Sequence, residues 1–211
     1  LKLIVGLLEP DHGAVEVDGQ VVHTLDRERL TEMRGRIGFV FQFAALFDSM
    51  TVAENLALGL RRRQVGEDEI AERTADALEV VGLAGTEHRF PAELSGGMRK
   101  RVGIARAVVL RPKFILYDEP TTGLDPVTAA VIDQLMVRTR ATYGVTSVVV
   151  THDMRSAYTV GDRIAMLYRG QVRQVGSVEA IQGSHDAVVR QFVEGRPEGA
   201  LDAERAMGAG A

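Results

Sequence analysis

The sequence predicts an α/β fold, in which a mostly parallel β-sheet carries helices on both faces. Short apolar segments alternate along the chain with segments of helical periodicity, which is the pattern of parallel strands joined by crossover helices. Three of the apolar segments end in polar residues, and ligands bind at the carboxyl ends of the strands in such sheets. The polar residues at these ends are Gln42, the pair Asp118 and Glu119, and His152.

The composition fits a folded chain and excludes several classes of site. Of the 211 residues, 45% are hydrophobic and 26% are charged, so a core can form and most of the chain is not disordered. The 25 Lys and Arg residues are outnumbered by 29 Asp and Glu residues, which argues against nucleic acid as a partner. Cysteine is absent, which excludes disulfides, thiolate metal sites and cysteine nucleophiles. No apolar run approaches the roughly 18 residues of a membrane-spanning helix.

The first forty residues predict a helix, a hairpin and a strand. Residues 1–8 are apolar apart from Lys2 and resemble the middle of a helix, which should end at residue 8 because Pro10 cannot continue it. Asp18 and Gly19 separate two short alternating segments and predict a β-hairpin. Residues 36–41 are apolar apart from Arg36 and predict a buried strand that ends at Gln42.

Caps, periodicity and turn residues predict the remaining elements. Thr51 and Glu54 have the spacing of a capping box and predict a helix to about Arg62. Another helix is predicted to follow Ser95, Gly96 and Gly97 and to end at residue 110. Further helices are predicted at residues 67–81, 126–143, 178–182 and 187–193. Further strands are predicted at 113–117 and 146–151, with a hairpin of 164–168 and 172–175. From residue 195 the composition turns to Gly, Ala, Glu and Arg, which predicts a mobile tail.

Two acids end the apolar strand at 113–117. A carboxylate at a strand end can hold Mg²⁺, which takes hard oxygen ligands and keeps several waters, and Asp118 is the candidate. Glu119 projects beyond it and can polarise a water for in-line attack on a phosphoryl group. The alternative is a pair of solvated loop acids without a ligand.

A serine and two glycines open a basic helix. Gly96 and Gly97 allow a ligand to approach the backbone closely, and the Ser95 hydroxyl and the first helical N–H groups can bind an anion. The helix that follows is basic, with Arg99, Lys100, Arg101 and Arg106. The alternative is an ordinary N-cap followed by a solvated basic face.

Three further polar residues have both a functional and a structural interpretation. Gln42 can contact a ligand, but buried glutamines usually have local partners. His152 can donate to a γ-phosphate, but a single histidine after a strand is more often structural. Asp125 precedes Pro126 and has the sequence context of an N-cap.

Taken in order, these motifs resemble those of the ATP-binding cassette (ABC) ATPases over about residues 1–185. The resemblance implies a P-loop NTPase-like (RecA-like), mostly parallel sheet with an α-helical subdomain at about 44–110 and an antiparallel β element. It implies one ATPase domain over 1–194 and a tail over 195–211. It also implies ATP and Mg²⁺ as ligands. In the family pattern Asp118 is the magnesium ligand, Glu119 is the catalytic base and His152 is the switch histidine. The nucleotide is further bound by the Q-loop residue, which is Gln42 and also lies near the metal, by the signature, and by the D-loop acid Asp125; the signature residues are Ser95, Gly96 and Gly97.

One family motif is absent from the 211 residues, because no G-x-x-x-x-G-K-[ST] phosphate loop occurs in them. In the family this loop directly precedes a helix that matches residues 1–8. We therefore expect the phosphate loop and the adenine-stacking residue to lie upstream of residue 1. The chain as given should bind ATP poorly or not at all, whereas the full-length protein should hydrolyse it.

Three softer features resemble the MlaF-type ATPases of Mla and Mce lipid transport systems. They are Met98, where most family members carry Gln, residues 44–55 after the Q-loop, and residues 190–195. The resemblance implies lipid transport, peripheral attachment to the cytoplasmic face of the inner membrane, and no nucleic acid. The implied partners are a second copy in a head-to-tail dimer, integral membrane permease subunits and a periplasmic MCE-domain protein. Alternatives are another ABC importer or exporter, for amino acids, metals or drugs, and a non-transport ABC ATPase.

Overall fold

The computed structural model of the protein describes residues 1–200. The chain divides into two compact units, Leu1–His152 and Asp153–Ala211. No helix within residues 1–200 is long and apolar enough to cross a membrane.

The N-terminal segment forms a closed turn, so the predicted helix over residues 1–8 is wrong in its extent. Gly6 adopts a left-handed conformation with φ +64°. The Gly6 N–H donates to Leu3 O at 3.1 Å and the Leu7 N–H donates to Lys2 O at 2.9 Å. This is the hydrogen-bond pattern that closes a helix at glycine, so the chain turns before Pro10 can act.

The predicted hairpin is confirmed. Strands β1 (Glu16–Val17) and β2 (Gln20–Val21) pair antiparallel. Asp18 and Gly19 between them have φ values of 52° and 78°. Both are positive, as a two-residue hairpin turn that matches the twist of its strands requires.

Helix α1 (Arg27–Gly35) follows and was not predicted. Its signal is weak because Met33 is its only buried residue. The side chain of Asp26 caps it by accepting a hydrogen bond from the N–H of Arg29 at 2.8 Å. That cap was the sequence feature from which the helix could have been found.

A three-stranded parallel sheet forms the centre of the first unit. Strands β3 (Ile37–Val40), β4 (Phe114–Asp118) and β5 (Thr146–Val150) lie in the order β3-β4-β5. Val40 pairs with Tyr117, and β5 runs beside β4 as far as Asp118. The carboxyl ends of the three strands therefore meet at one edge, which confirms the placement on which the sequence argument depended.

The first unit contains four longer helices besides α1, and three of them pack together as the predicted helical subdomain. They are α2 (Val52–Arg62), α3 (Glu67–Val80), α4 (Gly96–Val108) and α5 (Pro126–Tyr143). Helices α2, α3 and α4 pack on one another, while α4 also packs on β3 and α5. The core includes the fully buried Ile115, Leu116 and Tyr117 of β4, with Ile104 of α4 and Ile132 of α5. Because α4 contacts both the subdomain and the sheet, it links the two.

The second unit contains an antiparallel hairpin and three short helices. These are α6 (Met154–Val160), β6 (Ile164–Tyr168), β7 (Gln171–Gly176), α7 (Val178–Gln182) and α8 (Ala187–Glu194). Strand β7 pairs with β6 and packs against α7, which packs against α8. The hairpin and the last two helices confirm the prediction, whereas α6 was not predicted. Of the predicted tail, residues 201–211 lie outside the described residues.

Candidate functional site

The turn after β4, residues 118–122, carries the strongest candidate group, and we call it the acid turn. The Glu119 N–H donates to Val150 O at 2.9 Å. Its carboxylate accepts a hydrogen bond from Thr122 Oγ1 at 2.9 Å. The Nδ1 atom of His152 lies 3.0 Å from Oε1 and 2.9 Å from Oε2 of Glu119. Glu119 is therefore oriented from two sides by residues of the same unit.

The backbone of Glu119 has a φ of 47°, which is unusual for a residue with a side chain. Such a conformation costs on the order of 1–3 kcal/mol and persists only where the surroundings hold it in place. The Glu119 side chain is 20% exposed and that of His152 is 70% exposed, so solvent reaches the pair. An oriented carboxylate that water can reach is suited to general-base chemistry.

Asp118 and Gln42 offer the oxygen atoms for a cation. Asp118 ends β4, and Gln42 follows β3, the strand beside it. Mg²⁺ keeps several waters and uses one or two carboxylates together with substrate phosphates, so one carboxylate and one amide oxygen suit it. Within residues 1–200 no group of three or more His, Asp or Glu side chains could enclose a metal ion. Asp118 and Gln42 are the candidate donors for a magnesium ion shared with a phosphate ligand.

The serine and glycines lie at the N-terminus of α4. Ser95 is the N-cap, and its Oγ accepts a hydrogen bond from the Met98 N–H at 3.2 Å. Ser95 and Gly96 are exposed. A Cβ atom at Gly96 would have 4.0 Å to its nearest neighbour, Leu124 Cδ2. Ser95 therefore caps the helix, while the space around Gly96 leaves the first N–H groups of the helix accessible to a ligand.

Gly97 differs from Gly96 because it packs against α5. A Cβ atom at Gly97 would lie 2.6 Å from Cγ2 of Thr128. Thr128 in turn is bonded to Asp125, the N-cap of α5, whose side chain accepts from the N–H groups of Val127 and Thr128, each at 3.0 Å. The Thr128 hydroxyl also donates to Asp125. This hydrogen bond, followed by those from the N–H groups, holds the pKa of Asp125 below its usual value. The second glycine and Asp125 thus belong to one packed junction of two helix starts.

The structure therefore sorts the predicted residues into two groups. Gln42, Asp118, Glu119 and His152 lie at the carboxyl edge of the sheet, while Ser95, Gly96, Gly97 and Asp125 lie at the paired N-termini of α4 and α5.

Two further residues contact Glu119 and were not selected from the sequence. Thr122 was missed, although a hydroxyl three residues after an acid is a common local partner. Lys100 was noted only as one of the basic residues of the helix, whose alternative interpretation was a solvated face, yet it is buried and its Nζ lies 3.4 Å from Glu119 O.

An exposed aromatic surface lies beside β3 and α2. The exposed fractions are 42% for Phe41, 82% for Phe43 and 55% for Phe47. Phe41 and Phe47 line a groove of about 380 Å³. Buried Asn55 fixes one wall, because it accepts from the Phe47 N–H at 2.8 Å and donates to the carbonyl oxygens of Phe47, Met50 and Thr51.

Comparison with known proteins relates this architecture to one family. The family model "ABC transporter" matches residues 1–122. A probable ribonucleotide transport ATP-binding protein, mkl, from Mycobacterium leprae is 43% identical over 202 residues, which cover 95% of this chain and 58% of that protein. The intermembrane phospholipid transport system ATP-binding protein MlaF of Escherichia coli is 38% identical over 200 residues, covering 94% of this chain and 74% of MlaF. The chain thus spans little more than half the length of the mycobacterial relative.

The three-dimensional comparison agrees with these matches. A dimeric post-hydrolysis state of the ATP-binding cassette MJ0796, bound to ADP and Pi, superposes with a TM-score of 0.75 and 36% identity, covering 84% of this chain and 78% of that one. The predicted P-loop NTPase-like α/β fold is confirmed. The chain belongs to the ABC transporter family, among its ATP-binding proteins.

Proposed function

We propose that the protein hydrolyses ATP as the ATP-binding subunit of an ABC transporter. The observation that carries the proposal is the acid turn, where Glu119 directly follows Asp118 and is held by Thr122 and His152. In this role Glu119 accepts the proton of the attacking water, and His152 orients the carboxylate and donates a hydrogen bond to the γ-phosphate.

The other predicted residues bind the metal ion and the nucleotide. Asp118, with the side chain of Gln42, holds Mg²⁺, which neutralises charge on the phosphates when bound. Ser95, Gly96 and Gly97 present the start of α4 to the ATP of a second copy, and the exposure of Ser95 and Gly96 supports this role. The dimeric state named for the cassette MJ0796 supports pairing with a second copy, and we propose that the pair is head to tail.

The test is Glu119→Gln in a version of the protein that carries a phosphate loop ahead of residue 1. The amide keeps the shape of the side chain and removes the base, so ATP should still bind while hydrolysis falls by about 10²–10⁴-fold. The control is Glu72→Gln, which changes an exposed glutamate of α3 and should leave turnover unchanged. Turnover of the Glu119 variant at the control level would refute the assignment. Sedimentation velocity in the presence of ATP measures, in the same samples, whether two copies of the chain pair.

We further propose that the transported substrate is a lipid, moved by permease subunits together with a periplasmic MCE-domain protein. The similarity to MlaF supports this, as does the exposed aromatic surface, which is a suitable docking surface for permease segments at the cytoplasmic face of the membrane. The alternative is another substrate class, and the name of the mycobacterial relative favours ribonucleotides.

Reconstitution with permease subunits and an MCE-domain protein distinguishes the two substrates. We expect ATP-dependent transfer of a fluorescent phospholipid between vesicles and the MCE protein, and loss of that transfer with Glu119→Gln. ATP-dependent uptake of a labelled ribonucleotide, without lipid transfer, would reject the lipid proposal and leave the ATPase proposal intact.

A further inference from the structure

Helix α4 holds the loop after β3 through two cations. Lys100 Nζ donates to Gln42 O at 2.6 Å. Arg106 donates to Ala45 O at 2.5 Å and to Ala44 O at 2.7 Å. Lys100 and Arg106 are six residues apart on the helix, and both reach this short segment with long side chains. We call residues 42–45 the 42–45 loop.

The 42–45 loop needs such contacts because its backbone is strained. Ala44 and Ala45 have φ values of 58° and 48°, which residues with side chains rarely adopt. Ala44 is buried beside Gly103 of α4, where an added Cβ atom would come within 3.4 Å of the Ala44 Cβ. The loop is therefore held against α4 by packing and by charge-assisted hydrogen bonds to its carbonyl oxygens.

Lys100 differs from Arg106 in having a second partner outside the loop. Its side chain is buried, with 7% of the residue exposed, and its Nζ lies 3.4 Å from Glu119 O as well as 2.6 Å from Gln42 O. Glu119 is itself in a left-handed conformation. One ammonium group thus contacts both strained segments, the 42–45 loop and the acid turn.

We propose that Lys100 is a positioning residue that couples the conformation of the 42–45 loop to the peptide carrying Glu119. The importance of this coupling for hydrolysis rests on the proposed function, whereas the coupling itself does not. A change in the loop, next to the exposed Phe43, would reach the carboxylate through Lys100 without any movement of the sheet.

Hydrogen–deuterium exchange of the chain without nucleotide tests the coupling. Lys100→Met keeps the stem of the side chain and removes the ammonium. It should accelerate exchange in peptides covering the loop and in those covering the acid turn, where the Thr122 N–H donates to Glu119 O. The expected factor is roughly tenfold to a hundredfold in each, as for the loss of a hydrogen bond to a charged group. Lys100→Arg should restore slow exchange.

Two matched variants on the same helix distinguish coupling from general loosening. Arg106→Met should accelerate exchange in the 42–45 loop and, through Lys100, to a smaller extent in the acid turn, and it should add nothing in the acid turn when Lys100 is also replaced by Met. Arg101→Met should affect neither segment, because Arg101 donates to Val81 O and Gly82 O at the end of α3. An acid turn that is unchanged in Lys100→Met or in Arg106→Met, or a response of the acid turn to Arg106→Met that persists when Lys100 is also replaced by Met, would overturn the proposal.

Unfolding curves in urea accompany each variant, because the inference predicts a local effect. If Lys100→Met shows no cooperative transition, Lys100→Gln takes its place, and loss of folding in both would contradict the proposal. ATPase assays are run separately on the phosphate-loop version. Coupled exchange together with a turnover unaffected by Glu119→Gln would reject the proposed catalytic role and retain the coupling.

Discussion

Replacing Gly97 by alanine is the sharpest test of how α4 and α5 fit together. The new Cβ atom would lie 2.6 Å from Thr128 Cγ2, about 1 Å inside an ordinary carbon–carbon contact. Thr128 cannot easily turn aside. Its hydroxyl donates to Asp125 at 2.5 Å, and a β-branched residue in a helix has few rotamers. The two helices must therefore separate or the hydrogen bond must break.

The expected loss of stability is about 1–3 kcal/mol, the usual cost of overpacking. The better helix propensity of alanine offsets at most about 1 kcal/mol of it. Gly96→Ala is the matched control, because its Cβ atom would lie 4.0 Å from the nearest neighbour, so this variant should be as stable as the parent or more stable by up to about 1 kcal/mol.

Urea unfolding followed by circular dichroism measures both variants, at constant m-value. Thr128→Ser removes Cγ2 and keeps the hydroxyl, so the double variant Gly97→Ala with Thr128→Ser should recover most of the loss. Equal stability of the two glycine variants, or no recovery in the double variant, would show that the predicted clash does not govern this position. A side chain at Gly97 therefore tests packing, and the ligand role of the signature is tested more cleanly at Gly96.

Three other predictions concern caps and buried polar groups. Asn55→Leu should destabilise the protein by roughly 2–4 kcal/mol in urea unfolding, because it leaves buried backbone groups of residues 47–51 without partners; a loss below 1 kcal/mol would contradict this. Thr51→Ala removes one half of a capping box and should cost about 1 kcal/mol in the same assay, whereas Thr51→Ser should be nearly neutral. The pKa of Asp125 is lowered in the fold, first by the Thr128 hydroxyl and then by N–H groups, so its contribution to stability is present above about pH 4 and is lost as the pH falls. As the pH falls from about 5 to 3, the urea midpoint of Asp125→Asn should therefore decline less than that of the parent. If the two midpoints decline in parallel, Asp125 does not contribute to the acid sensitivity of the fold.

Elements with local signals at both ends were predicted well. Helix α5 was predicted over the residues at which it forms, because Asp125 caps its start, proline occupies its first position, and Gly144 ends it with a φ of 62°. Both Gly6 and Pro10 can end a helix in the N-terminal segment. The chain already turns at Gly6, so the helix predicted to residue 8 was too long. Helix α1 was missed because it buries little apolar surface and therefore has little periodicity.

The carboxyl-edge residues were predictable because their placement follows from the topology. Parallel strands end at the same edge of a sheet, so three strand ends were enough to place Gln42, Glu119 and His152 together. Lys100 was not predictable in the same way. Its partners lie far away in sequence, and a buried lysine looks like any other cation in a basic helix. Such contacts are fixed by tertiary packing, which periodicity does not encode.

The position of the helical subdomain between two adjacent strands has a consequence for folding kinetics. β3 ends at Val40 and its neighbour β4 begins at Phe114, so this parallel pairing closes a long stretch of chain. Closing it is entropically unfavourable until the intervening residues are compact, and pairing of high contact order is slow. Helices α2, α3 and α4 contact one another over short sequence distances and can form earlier. The rate at which the central sheet assembles should therefore follow the stability of the α2–α4 cluster, and variants that weaken that cluster should slow refolding more than they accelerate unfolding.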